Sequence, residues 1–342
     1  MSAVAERELT EVMTYREALR LALAEELARD DRVFVMGEEV GLFDGSYKVT
    51  AGLLEAFGPD RIRDTPISEE GFVGAGVGAA MLGERPVVEI MTINFLLVAM
   101  DQVINHAAKV GAMFGGEVRC PLVIRTPNGA GNQLTAQHSQ SFDGWFAGTP
   151  GLKVVAPASP ADAKGLLKAA IRDDDPVLVI ENLPIYKQKG EVPLDPDFLT
   201  PIGRARIARP GTDLTIVAHS YAVVRALEVA ERLEESHGVS IEVVDLRSLR
   251  PLDRTTIVES VKKTNRAVVL EEDWYSYGIG AEIAATIQEH AFDYLDAPVL
   301  RVAGIEVPLP YAAKLSQASK PGAQDLKNAI YRVLEGGKRW QR

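Results

Sequence analysis

At 342 residues, 46% of them hydrophobic and 25% charged, the chain has ordinary globular composition and is long enough to predict two domains. No apolar run approaches the ~20 residues of a membrane span, which excludes a membrane role. A net charge of -11, with acids and bases interleaved, excludes non-specific nucleic-acid binding, because phosphate contacts need clustered Lys and Arg. Cys120, the single cysteine, cannot form an internal disulfide, and no Cys/His spacing resembles a zinc site, so the chain fits a reducing compartment. Glu6, Glu8 and Glu11 precede the first helical pattern, whereas a transit peptide is acid-poor and a signal peptide apolar. We expect a bacterial cytoplasmic protein or a mature organellar matrix protein.

Leu19, Leu23 and Leu27 recur every fourth position within 14–30, which predicts an amphipathic helix, and the apolar run 33–36 predicts a buried strand. Further strands are expected at 86–91, 122–126, 153–156 and 177–181, with helices near 71–82, 96–110 and 160–172 between them. That alternation predicts an α/β fold, an open and largely parallel sheet covered by helices. From 182 to 210 the pattern breaks around Pro184, Pro193, Pro196, Pro201 and Pro210 and reads as a linker. A second α/β/α unit follows, with strands at 214–218, 241–246, 267–271 and 299–302 and helices near 221–236, 253–263, 279–290 and 323–335. Gly238 stands where a helix C-terminal glycine is expected. The expected division is a domain over 1–190, a linker over 191–210 and a domain over 211–342.

The segment DTPISEE, 64–70, runs into Gly71, Gly74, Ala75, Gly76, Gly78, Ala79 and Ala80, so a pair of carboxylates opens a helix with one very small face. Helical glycine costs roughly 1 kcal/mol relative to alanine, so several together imply the close approach of another helix or a ligand. Taken alone, Glu69 and Glu70 are also what a helix dipole favours in its first turn.

The stretch DTPISEEGFVGAGVGAAMLGERPVVEIMTINFLLVAMDQVIN closely resembles the E1 beta subunits of 2-oxo acid dehydrogenase complexes. TPNGAGNQLTAQHSQSFDGWFAGTPGLKVVAPASPADAKGLLKAAIRDDDPVLVIEN continues the resemblance, and VVDLRSLRPLD, YGIGAEIA and EVPLPYAAKL extend it through the second half. It implies a thiamine-diphosphate-binding fold whose first domain binds the pyrimidine and whose second resembles the transketolase C-terminal domain. It also implies decarboxylation of a 2-oxo acid and acylation of the lipoyl group of an E2 acyltransferase, in an alpha2beta2 assembly with an E1 alpha subunit. Pyruvate is the favoured substrate, because 91–116 is nearest to pyruvate-type subunits; branched-chain and acetoin enzymes share most of it.

By that resemblance Glu69 hydrogen-bonds N1′ of the thiamine aminopyrimidine, and a proton held there prepares the 4′-nitrogen to take the C2 proton. A partly desolvated carboxyl holds its proton more tightly, as this role needs. Phe95 follows the expected strand 86–91, at the carboxyl end where ligands of open α/β sheets sit, and is expected to stack on the pyrimidine; without the resemblance it reads as a core aromatic. His138 follows the turn-rich loop 128–132 and is implied to hold the substrate or assist acyl transfer, though a structural role is the ordinary one for a loop histidine. The other histidines read as structural.

Acids at 173–175 end the helix that begins near Pro160, facing the negative end of its dipole. The resemblance places a structural potassium ion there, on carbonyls of Leu122, Ala170, Ile171 and Asp173 and on Asp175, which stands where Asn is commoner; a solvated acidic turn is the alternative. The Gly-Asp-Gly…Asn pattern that holds a cofactor diphosphate through Mg²⁺ is missing, and Phe43-Asp44-Gly45 and Phe142-Asp143-Gly144 do not replace it. The Mg²⁺ and diphosphate are therefore expected on the alpha subunit.

Two other readings compete. Gly74 to Ala79 formally fits the G-x-G-x-x-A dinucleotide fingerprint, but polar residues and Pro66 precede it where a hydrophobic strand is required. A purely structural subunit that docks the E2 core would need none of these side chains.

Overall fold

The computed structural model describes residues 9–129 and 133–335; Ala130, Gly131 and Asn132, part of the turn-rich loop before His138, lie outside them, as do Glu6 and Glu8. The first half of the chain runs β1 (Thr10–Thr14), α1 (Tyr15–Arg29), β2 (Val33–Gly37), α2 (Leu53–Phe57), β3 (Ile62–Asp64), α3 (Glu69–Met81) and β4 (Arg85–Glu89). It continues through α4 (Ala108–Met113), β5 (Val123–Asn128), α5 (Asp143–Ala147), β6 (Lys153–Val155), α6 (Pro160–Arg172) and β7 (Val177–Asn182). Strands β2 to β7 form a sheet in which every one of these pairings is parallel, as near-continuous Val/Ile/Leu runs buried on both faces require.

Local chemistry sets the helix boundaries. Thr14 starts α1 through a capping box, its hydroxyl accepting from Glu17 N (3.2 Å) while its own N–H donates to the Glu17 carboxylate (2.8 Å). The expected leucine stripe of α1, Leu19, Leu23 and Leu27, is buried beneath it against the sheet. Ser159 caps α6, with Pro160 in its first turn.

Strands β8 (Lys189–Pro193) and β9 (Arg206–Arg209) lie inside the proline-rich stretch that reads as a linker. Each is the antiparallel partner of a single strand, β8 pairing with β1 and β9 closing the edge of the second sheet, so the lost proline N–H groups are tolerated. The second sheet joins β10 (Leu214–Ala218), β11 (Ile241–Asp245), β13 (Ala267–Trp274) and β14 (Leu300–Gly304) in parallel. Its helices are α7 (Tyr221–His237), α8 (Arg254–Thr264), α9 (Ile279–Ala291), α10 (Ala313–Ala318) and α11 (Ala323–Leu334). Gly238 ends α7 at φ +66°, the left-handed conformation its position requires.

Strand β12 (Ser248–Arg250) leaves the second half and pairs antiparallel with β6, adding an edge to the first sheet. One apolar cluster consequently runs through both halves, from Val88 and Ile124 to Val244 and Ile283. Fully burying each such side chain contributes about 1.5–3 kcal/mol. The expected helix over 96–110 is broken into a 3₁₀ turn (Ile93–Leu97), a π-helical turn (Gln102–Ala107) and α4. Periodicity at 3.6 residues does not distinguish these forms, and single π turns are frequent at functional sites.

Candidate active site

The loops that follow β2, β3, β4 and β5 all leave the carboxyl edge of the first sheet, where open α/β folds place their ligands. Glu38 directly follows β2; Glu69 opens α3 after β3; Phe95 sits in the 3₁₀ turn after β4; His138 lies in the loop after β5. Neighbouring parallel strands thus deliver side chains far apart in sequence to one edge.

Glu69 is only 6% exposed, at the first position of a helix whose N-cap residue, Ser68, makes no capping bond. Its carboxyl meets that of Glu38, which is 5% exposed. Burial, then the charge and hydrogen bond of Glu69, push Glu38 up to about 7, and the Glu38 Oε1 atom is buried with no hydrogen-bond partner among the described residues. Glu38 therefore keeps its proton well above the ordinary carboxylate range. Sequence reading missed Glu38. The available signal was two acids, Glu38 and Glu39, immediately after a fully buried strand.

Phe95 and His138 come together: their ring centroids are 5.1 Å apart and their planes 87° apart, an edge-to-face contact between two half-buried rings. Asn94, also missed, ties the two loops together by accepting from Gln140 N (3.3 Å) and Gln140 Nε2 (3.0 Å) while donating to Thr92 Oγ1 (2.9 Å). The loop carrying His138 is therefore pinned to the turn carrying Phe95.

The glycines of α3 divide by face. A Cβ on Gly76 would come 2.8 Å from Val88 Cγ2, so that residue packs the helix onto β4, whereas one on Gly78 would meet nothing within 4 Å. Gly71, Ala75 and Gly78 form an exposed row continued by Ile67 and Leu82, 84% and 89% exposed. An open strip of small residues bounded by large apolar ones is a surface shaped for another chain. The same residues dispose of the dinucleotide fingerprint, because Gly74 to Ala79 lie in the interior of α3 and not in a strand-to-helix turn. At the start of α9, Gly280 N donates to Glu271 Oε2 (2.9 Å), so a carboxylate of the chain occupies that helix start.

The residues proposed for potassium do gather at the end of α6, but their acceptors are engaged. Arg85 Nη1 donates to the carbonyls of Ile171 and Asp173 at 3.0 Å each, Val177 N donates to Leu122 O (2.9 Å), and Asp173 N to Ala170 O (3.2 Å). Lys153 Nζ lies 2.8 Å from the Asp173 carboxylate and 3.1 Å from that of Asp175. Side chains already supply the positive charge that the dipole and the acids call for, and as placed these groups do not fit a potassium ion without displacing Arg85 or Lys153. Asp44 and Asp143 are likewise committed, Asp44 to Gly52 N (3.0 Å), Asp143 to Asn128 Nδ2 (2.8 Å) and to His219 Nε2 (3.1 Å).

Comparison with known proteins turns this geometry into a family assignment. Residues 11–188 match the family model "Transketolase, pyrimidine binding domain" and 203–326 match "Transketolase, C-terminal domain". The mitochondrial pyruvate dehydrogenase E1 component subunit beta of Dictyostelium discoideum is 51% identical over 96% of this chain and 93% of its own. The chain belongs to the pyruvate dehydrogenase E1 beta subunit family. The Arabidopsis thaliana mitochondrial subunit beta-1 is 53% identical (94% of this chain, 90% of its own), and the Rhizobium meliloti subunit 52% (94% and 70%). Among solved structures, a split-gene transketolase described as an inactive beta4 tetramer superposes with a TM-score of 0.77 at 25% identity, covering 95% of this chain and 99% of that one. The E1 beta family implies thiamine diphosphate, and its members include bacterial and mitochondrial proteins. Among the described residues no helix is long and apolar enough to cross a membrane.

Proposed function

We propose that the chain is the beta subunit of a thiamine-diphosphate-dependent pyruvate dehydrogenase E1, working with an alpha subunit to decarboxylate pyruvate and acylate the lipoyl group of an E2 acyltransferase. The observation that carries this reading is the buried Glu69 carboxyl at the start of α3, against the buried carboxyl of Glu38 at the carboxyl edge of the sheet. Thiamine diphosphate, when bound, supplies the electron sink for decarboxylation.

In this reading Glu69 holds a proton at N1′ of the pyrimidine, and Glu38 keeps that proton available by exchanging it across the pair. Phe95 presents a ring face to the pyrimidine, and His138, its ring near perpendicular to that of Phe95, positions the carboxylate of the 2-oxo acid or the incoming lipoyl disulfide. Asn94 holds the two loops in register. The exposed row on α3 is where the alpha subunit closes on the cofactor, bringing the Mg²⁺ and diphosphate site. The single cysteine, Cys120, is buried and held up to about 12 by that burial, which suits a reducing bacterial cytoplasm or organellar matrix.

The test is Glu69→Gln in the reconstituted alpha–beta assembly. Loss of a positioned proton donor predicts a fall in pyruvate decarboxylation of about 10²- to 10⁴-fold with the assembly intact by sedimentation. Near-normal turnover would leave only a scaffolding subunit. Comparing kcat/KM for pyruvate and for 3-methyl-2-oxobutanoate in the same assembly tests the substrate.

A further inference from the structure

A cleft of about 1000 Å³ opens between the two halves of the chain, and none of Glu38, Glu69, Phe95 or His138 lines it. Arg16, Lys48 and Lys187 reach it from the first half and Arg225 and Lys320 from the second, against one carboxylate, Glu272. The chain as a whole has 48 acids to 37 bases, so this lining reverses the composition.

Three of these cations meet neutral partners, while Lys320 feels the charge of Glu272. Arg16 Nη1 donates to Tyr47 O (3.3 Å), Lys48 Nζ lies 3.6 Å over the Phe43 ring, and Arg225 Nη2 donates to Tyr221 Oη (2.7 Å). Arg225 Nε is buried with no acceptor among the described residues, and Lys187 is exposed at the rim. Glu272 accepts from Asn182 Nδ2 (2.5 Å), and its burial raises its hold on a proton. Cations converging on a concave surface focus a positive potential into it, and guanidinium forks match phosphate oxygens in pairs.

Size and walls narrow the ligand. Pockets of ~300–1000 Å³ take molecules larger than a bare phosphate, and the rings of Tyr47 and Tyr221 with Leu183 and Pro184 give this one a flat, largely apolar side. We propose that the cleft binds a phosphorylated small molecule of nucleotide size, its phosphates met by Arg16, Lys48, Lys187 and Arg225 and its ring laid against the tyrosines. Because those cations come from both halves of the chain, the ligand bridges them.

The experiment is calorimetric titration of the cofactor-loaded alpha–beta assembly with ATP, tripolyphosphate and adenosine. ATP is expected to bind with Kd below about 1 mM, tripolyphosphate and adenosine each more weakly, and ATP affinity to fall as salt rises from about 50 to about 200 mM. The exposed-site variant Lys187→Gln and the double variant Lys187→Gln/Arg225→Gln are expected to weaken ATP progressively, the double by about tenfold or more. Turnover without ATP stays unchanged in both, and the rise in Tm that ATP gives the wild type is lost in the double variant. Absence of ATP binding, or equal binding by wild type and the double variant, overturns the proposal. Tripolyphosphate binding as tightly as ATP overturns the nucleotide-sized class. Binding to the isolated chain but not to the assembly overturns it too, since an acidic segment of the partner subunit then fills the cleft.

Discussion

Glu38 and Glu69 bring two buried carboxyls into one hydrogen bond from the loops after β2 and β3. Burial and the Glu69 charge push Glu38 up to about 7, above the range of a glutamate in an unfolded chain. The folded form therefore binds a proton that the unfolded form has already released, and its contribution to stability is present at low pH and lost as pH rises through 7. Burial and then Asp143 push Asp273 to about 7, and burial and then Asp162 push Asp245 to about 6, with the same sign. His219 adds to it: burial lowers its affinity for a proton, but the Asp143 hydrogen bond and charge more than restore it, so its contribution is present below the ordinary histidine range and lost above its raised value. The chain is expected to lose Tm steadily from pH 5 to 8, and Glu38→Gln to lose less over that interval. Calorimetric melts at four pH values check this; an equal slope in the variant would mean Glu38 is charged in the folded chain throughout.

The parallel strands and the α1 stripe were legible because both depend on local spacing of apolar residues, whereas Glu69 was singled out from Glu70 only by the family resemblance. Glu38 was not, since its significance comes from Glu69, which only the pairing of β2 with β3 brings near. The same is true of β12, three residues whose strand character comes from the free edge of β6 and not from their own sequence. The π turn at 102–107 packs against α3, and no residue pattern announces it. The acids at 173–175 were conspicuous, but the residues that answer them, Arg85 and Lys153, lie on other elements.

Phe95 and His138 meet with their ring planes near perpendicular, and a pyrimidine would stack on one of the two faces of the Phe95 ring. If one of them carries the pyrimidine, Phe95→Ala removes a stacking contact worth about 0.5–1.5 kcal/mol and weakens thiamine diphosphate binding by about 2- to 12-fold. Fluorescence titration of the assembly with the cofactor measures it, and Phe95→Tyr, which keeps the ring, is expected to bind near normally. An unchanged Kd in Phe95→Ala would assign the ring to the core alone.

Arg125 is 1% exposed on β5 and donates bidentately to Glu181, 2.7 Å to each oxygen, while also meeting Glu89. Tyr186 Oη donates to the same Glu181. Burial opposes the guanidinium charge, yet the two carboxylates hold it charged, so the group behaves as a unit. Arg125→Met leaves two carboxyls facing each other without their cation and is expected to cost about 3–5 kcal/mol in urea unfolding. A loss under about 1 kcal/mol would show that the carboxyls neutralise at little cost. Replacing all three with apolar residues of similar volume should recover most of the loss.

Gly76 and Gly78 sit two residues apart in α3 and face opposite demands. A methyl group on Gly76 would press on Val88 Cγ2 at 2.8 Å and Leu122 Cδ1 at 3.3 Å, so Gly76→Ala overpacks the core and is expected to cost about 1–3 kcal/mol. Gly78 has open space around it, so Gly78→Ala removes only the conformational freedom of a helical glycine and should stabilise the isolated chain by about 0.5–1 kcal/mol. Gly78→Leu separates folding from assembly. It leaves the isolated chain folded, with unfolding near that of wild type, but places a side chain on the surface assigned to the alpha subunit, where close approach depends on small residues. Sedimentation of mixed subunits should then show weaker association, with cofactor affinity falling in parallel. Association as tight as wild type would place the subunit boundary on another face of α3.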